Sequence, residues 1–193
     1  MSLYASIAIL SLAAAPAPVA ADSACPVLLP NDVPVQGRQS PLDSLTFSVA
    51  KQTVKICYGR PSARGRTMIG GQGVPYGNLW RTGANEPTVI FTPAALEIAG
   101  VKVAPGKYSL YSVPGEKEWE IIVNRSTSQW GHEKSYTKEV EAQEVGRGKV
   151  PAEKLGAPIE TFTIRPDPAS GETQGLVLTW EKTRVTIPIR AAR

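Results

Sequence analysis

Histidine and cysteine are almost absent from this sequence: His132 stands alone, and Cys25 and Cys57 are the only thiols in 193 residues. So few ligands cannot build the Cys- and His-rich sets of zinc sites, and no Ser–His–Asp spacing can be drawn around His132. Neither a metal nor any other cofactor is expected. Long apolar runs are also missing. The one at residues 7–15 is too short, and too closely followed by prolines, to favour a membrane anchor. No transmembrane span is therefore expected in the mature protein. Past this segment there are no repeats and no low-complexity tracts. Charge of one sign is not concentrated either. The 21 Lys and Arg against 17 Asp and Glu leave a net +4, and apart from Arg60, Arg64 and Arg66 the basic residues are scattered among glutamates. No basic face or recognition motif emerges, so no nucleic-acid partner is expected.

Glycine and proline are plentiful instead, 17 of each, and they fall between apolar runs rather than in tracts. A hydrophobic share of 42% and a charged share of 20% suit a chain that buries a core. The length fits one domain. These features predict an all-β protein of many short strands and tight turns.

The N-terminus reads as a signal peptide over residues 1–21. An apolar stretch precedes Val19-Ala20-Ala21, with small residues at cleavage spacing, although no Lys or Arg stands before Asp22. The expected location is exported, periplasmic or secreted. Export permits a disulfide. Asp22-Ser23-Ala24 lacks the apolar residue of a lipid-anchoring signal, so a Cys25–Cys57 bridge is expected. It would tie an extended, Pro-rich arm over residues 22–40 to a strand.

From residue 41 to 193 the chain reads as a single antiparallel β-sandwich or barrel-like domain. Period-two alternation marks strands at 45–49 and 54–58, and others follow at 88–92, 95–98, 101–103, 108–113 and 119–123. Ala99-Gly100, Pro105-Gly106 and Pro114-Gly115 supply turns. A short helix is expected within 136–144. Strands at 161–165, 176–180 and 184–189 close a set of about ten. Residues 60–79, with two prolines and five glycines, read as a long Gly/Pro-rich loop, and loops of that length are usually functional or disordered.

Four segments could carry chemistry. Trp80-Arg81-Thr82-Gly83-Ala84-Asn85-Glu86 gathers a guanidinium, an amide and a carboxylate, which could hold an anion or orient a proton transfer. The same groups could equally satisfy the backbone of a loop returning to a sheet. Arg60, Arg64 and Arg66 could bind an anion or form a solvated turn. The aromatics Tyr108, Tyr111, Trp119, Trp130 and Trp180 could stack a ligand, but at strand spacing they read as core. The charges of Trp180-Glu181-Lys182-Thr183-Arg184 read as a solvated hairpin tip. Asn124-Arg125-Ser126 matches a glycosylation sequon, which outside a eukaryotic secretory context is a weak signal.

Several of these segments, taken together, form a chain-long pattern. Arg60-Pro61-Ser62, Gly65-Arg66, Val74-Pro75-Tyr76-Gly77, Trp80 through Glu86, Pro105-Gly106-Lys107-Tyr108-Ser109-Leu110, Trp119, Asn124, Gln129-Trp130-Gly131 and Trp180-Glu181-Lys182-Thr183-Arg184 lie between about residues 40 and 190. The pattern resembles the bacterial family called domain of unknown function 2911. The resemblance implies export and β-structure and brings no reaction with it. It implies that the polar residues Arg60, Arg81, Asn85, Glu86, Lys182 and Arg184 meet in one place. His132 falls where the family pattern differs. Cys57 stands where a β-branched residue is common, which makes the disulfide particular to this chain.

Three readings follow. The first is an exported binding or accessory module. Its 60–86 loop would form a pocket in which Arg60 and Arg81 hold a small polar or anionic ligand, oriented by Asn85 and Glu86. The second is an envelope or extracellular hydrolase with Glu86 as acid or base, which requires Glu86 in a cleft. The third is a structural module whose polar set is a buried network. The sequence points to no particular oligomeric state.

Overall fold

The computed structural model describes residues 24–27, 37–167 and 174–193. The expected signal peptide lies outside them, and the arm is described only at 24–27 and 37–40. Among the described residues, nine strands form one continuous antiparallel ladder that is not closed into a barrel. In chain order they are β1 (Leu42–Val49), β2 (Gln52–Gly59), β3 (Thr88–Thr92), β4 (Leu96–Ile98), β5 (Val101–Val103), β6 (Gly106–Val113), β7 (Glu118–Asn124), β8 (Glu144–Pro166) and β9 (Gln174–Ala191). Their spatial order is β1-β2-β3-β6-β7-β8-β9-β4-β5. A 3₁₀ turn at Glu133–Ser135 and a helix α1 at Lys138–Glu141 interrupt the β7–β8 connection. No described helix is long and apolar enough to cross a membrane.

The tight hairpins follow from local backbone chemistry. Ala50 and Lys51 take φ of 46° and 64°, and Ala99 and Gly100 take 48° and 85°. Each pair closes a two-residue loop, at Val49↔Gln52 and Ile98↔Val101. Two positive φ values give the turn whose twist matches the strands. Ala99-Gly100 was readable as a turn, whereas Ala50-Lys51 has no glycine to announce it.

The strand count is nine rather than about ten because 176–180 and 184–189 belong to one strand. Lys182 to Arg184 do not sit on a hairpin tip. Thr183 and Arg184 stay in the ladder opposite Lys154 and Glu153. Glu181 alone takes a left-handed φ of 49°, which kinks β9 without ending it. β8 is far longer than the 161–165 read from alternation. Residues 151–160 are mostly exposed, so no buried face imposes a period of two there.

Strand β8 turns the ladder from one layer to the other. Its first part, to Pro151, pairs with β7, and Ala152 onward pairs with β9. Inward side chains of both halves then share one core: Val54, Ile56, Ile90, Leu110 and Ile121 lie in the same cluster as Leu176, Leu178, Ile187 and Ile98. This is a sandwich-like packing. Trp80 stacks on Trp180 with centroids 5.8 Å apart, and meets Trp119 at 5.8 Å and Phe162 at 5.1 Å edge-on. Tyr58 in β2 crosses to β8, where its hydroxyl accepts from the Ile164 N–H at 3.1 Å.

Alternation sends Cys57 to the outer face, beside Val89 and Phe91. There it is disulfide-bonded to Cys25, 32 positions earlier. The bridge removes loop-closure entropy from the unfolded chain by an amount equivalent to about 3–4 kcal/mol. Cys25→Ser is expected to lower the unfolding free energy by about that much in denaturant titration. Adding reductant should then weaken the wild-type protein and leave the variant unchanged.

Candidate functional site

The 80–86 segment is held on every side by the protein itself. Trp80 and Ser112 exchange backbone hydrogen bonds at 2.7 and 2.8 Å, docking the segment on β6. The Trp80 indole donates to the Gly83 carbonyl at 3.0 Å. Thr82 is buried with φ at 53°, a strained value for a β-branched residue. Its hydroxyl pairs with Ser112 Oγ at 2.9 Å, and its carbonyl accepts from Thr88 Oγ1 at 2.7 Å. Gly59 and Gly131 allow the close approach. A Cβ on Gly59 would stand 2.0 Å from the Ala84 carbonyl oxygen, and one on Gly131 would stand 2.3 Å from that of Asn85.

The arm completes the enclosure. Asn85, left-handed at φ 65°, donates through Nδ2 to the Ser40 carbonyl at 2.9 Å. Glu86 is only 2% exposed, and both its carboxylate oxygens accept from Nη1 of Arg38, at 2.8 and 2.9 Å. The Arg38 side chain is equally buried, yet its Nε and Nη2 make no hydrogen bond. Nothing in the local sequence around Arg38 announces this pairing, because its partner lies 48 positions away.

The six residues expected to converge fall into separate groups. Arg81, Asn85 and Glu86 meet around Gly131. Arg81 directs Nη1 towards Glu133 at 3.9 Å and leaves Nε buried without a bond. Arg60 turns to β8 and β1, donating to Thr163 Oγ1 at 3.1 Å and facing Asp43 at 3.3 Å. Arg184 faces Glu153 at 3.8 Å. Lys182 is exposed and borders a cleft that none of the other five lines.

That cleft has a volume of about 680 Å³. Its origin is a register mismatch. Nine steps of β8 from Lys154 to Thr163 face four steps of β9 from Thr183 to Thr179, so β8 carries five surplus residues and arches out on either side of the Ile159↔Glu181 pair. The Gly-rich loop forms another wall, and it is tied down by Glu181. That carboxylate accepts from the Met68 N–H at 3.0 and 3.1 Å and from the Ile69 N–H at 2.7 Å. The kink at φ 49° sits at the residue that reaches the loop. Tyr76 and Ile159, two of the three exposed large hydrophobics among the described residues, line the cleft with Lys154 and Lys182. Glu181 therefore holds the loop instead of capping a hairpin. Among the described residues, no group of three or more His, Cys, Asp or Glu side chains is placed to hold a metal ion.

Residues 40–189 match the family described as "Protein of unknown function (DUF2911)". The chain belongs to that family. No curated protein and no solved structure matches it. The match takes in β1 to β8, most of β9, the 80–86 segment and the cleft. Cys25 and Arg38, which bind the arm to the domain, precede it.

Within the matched region, a second polar network covers the outer face of β6 and β7. Tyr111 is fully buried and packs edge-on against Tyr136 at 4.6 Å. Its hydroxyl accepts from Gln129 Nε2 at 3.0 Å. Asn124 is fully buried and donates to the Val140 carbonyl at 2.7 Å and the Tyr136 hydroxyl at 3.2 Å, so its amide is not presented for glycosylation. Tyr136 in turn donates to Glu144 at 2.6 Å, and Arg147 bridges Glu144 and Glu120. Burial pushes the Tyr111 hydroxyl from 10.0 up to about 12, against the opposing pull of Gln129 and Arg81. Burial and the bond to Glu144 raise that of Tyr136 as well.

Two outcomes follow. The raised Tyr111 value means the folded state keeps a proton that the unfolded chain releases first. Its contribution is intact below pH ~10 and declines towards pH ~12, by an amount on the order of 2–3 kcal/mol. Alkaline denaturation followed by tyrosinate absorbance should show this decline, with a shallower slope in Tyr111→Phe. At the motif, Glu86→Gln is expected to cost about 3 kcal/mol in chemical denaturation, because it leaves the Arg38 guanidinium buried opposite a neutral group.

Proposed function

We propose that this member of the DUF2911 family is an exported binding module whose ligand site is the cleft between the Gly-rich loop and the β8 arch. The 80–86 segment is then the scaffold that anchors the loop. The reading is carried by the contrast between two sets of side chains. Arg38, Asn85 and Glu86 bond inside the protein, whereas Lys154 and Lys182 line an open cleft with no ion pair or side-chain hydrogen bond among the described residues. A cleft of about 680 Å³ matches the size of sites for small ligands. Its free ammonium groups favour a small polar or anionic one. Export is supported by the apolar N-terminal stretch and by the Cys25–Cys57 bridge, which suits an oxidising compartment.

A hydrolase using Glu86 is the weaker reading. Acid–base work needs a carboxylate within reach of a substrate proton, and Glu86 is buried with both oxygens on Arg38.

Amide-resolved NMR titration of the disulfide-intact protein with acetate, inorganic phosphate and glucose tests the assignment. Expected are shifts at residues 66–76 and 181–183, reduced in Lys182→Ala, with residues 80–86 unmoved. Shifts confined to 80–86 would return the site to the motif, and a silent spectrum throughout would reject the binding reading.

A further inference from the structure

We infer that the ligand of the cleft is an organic anion with an apolar, preferably planar, body, such as an aromatic carboxylate. This rests on the cleft being the ligand site and adds what that ligand must carry. The cleft's free groups are unevenly distributed between the charge signs. Three of its four carboxylates already face donors of the protein: Glu153 faces Arg184 at 3.8 Å, Glu160 accepts from the backbone N–H of Arg64 at 2.7 Å, and Glu181 accepts from the backbone N–H groups of Met68 and Ile69. Arg66 donates to the carbonyls of Ala63 and Ser62. Lys154 and Lys182 are committed to nothing among the described residues, and only Glu116, in the β6–β7 turn, offers a free carboxylate against them. The side chains left free to bond a ligand are therefore mainly ammonium groups, while the bonded carboxylates keep their charge but are turned to the protein's own donors.

The apolar requirement comes from a separate observation. Tyr76 is 46% exposed and Ile159 38% exposed, and both border this one cleft. Exposed large apolar side chains gathered at a concave site mark where apolar ligand surface is covered. Tyr76 is held in place by its ring lying over Gly70, where an added Cβ would come within 2.6 Å of it. A fixed ring of this kind can stack on a planar body, while the flexible lysines reach the anionic end.

The probes are benzoate, acetate and benzyl alcohol, titrated into the disulfide-intact protein at constant ionic strength and read at the amides of residues 66–76 and 181–183. Benzoate is expected to bind about tenfold more tightly than either partial probe. Lys154→Ala with Lys182→Ala should weaken benzoate about tenfold and leave benzyl alcohol unchanged. Tyr76→Ala should bring benzoate down to the level of acetate. Ile159→Ser supplies a second test that leaves the packing on Gly70 intact, and it should weaken benzoate without affecting acetate. Acetate binding as tightly as benzoate would overturn the apolar requirement, and benzyl alcohol doing so would overturn the anionic one. In both cases the cleft would still stand as a binding site. No response to any of the three would remove the proposal and the cleft assignment together.

Discussion

Trp80 stacked on Trp180, with Trp119 and Phe162 against its edges, is the contact on which the rest of the molecule depends. It fixes the far end of the long β2–β3 connection inside the core, where the two halves of the ladder face each other. A connection that dives into a core takes its backbone polar groups with it, and these must find partners away from water. The bonds around the 80–86 segment follow from that demand. Ser112 takes up the Trp80 backbone, Gly83 the indole, and the Thr88 hydroxyl the Thr82 carbonyl. The strained φ of Thr82 persists because so many fixed neighbours determine it.

The same enclosure explains the buried carboxylate of Glu86. Glu86 is carried under the surface by the returning loop, and a buried carboxylate needs a buried cation. Arg38 reaches in from the arm to supply it. Such a pair adds little net stability over an apolar substitute, and two Arg38 nitrogens go unbonded. What it does supply is position, because together with Asn85–Ser40 and the Cys25–Cys57 bridge it fastens the described residues of the arm to the domain. The other wall of the loop is held by Glu181 in a comparable way. One carboxylate there organises the amides of Met68 and Ile69, and thereby the cleft edge.

Much of this fold was legible one strand at a time. β4 and β5, and the split of Tyr108 and Leu110 from Tyr111, follow from period-two alternation and from turns such as Ala99-Gly100. The solvated stretch of β8 was not legible, because exposed strands carry no hydrophobic period. The continuity of β9 was missed for a related reason. Glu181 to Arg184 have the composition of a turn, and only pairing with β8 reveals that Glu181, Thr183 and Arg184 remain in the ladder. At the site, the residue types of the motif were visible but their partners were not. Arg38 with Glu86 and Glu181 with Met68 join positions too far apart for any spacing rule to connect them.

The sequence alone determined the all-β class, the candidate disulfide, the polar 80–86 segment and the family resemblance that residues 40–189 bear out. These are properties of local pattern: alternation sets the faces of a strand, glycine and proline set the turns, and motif residues keep their identity wherever the chain takes them. The tertiary structure decided which side chains meet. It turned the polar segment inward and set Lys182 apart from Arg81. It also opened a cleft where β8 outruns β9 by five residues. Those outcomes depend on strand register and on the path of a long loop, which are fixed by contacts across the whole domain.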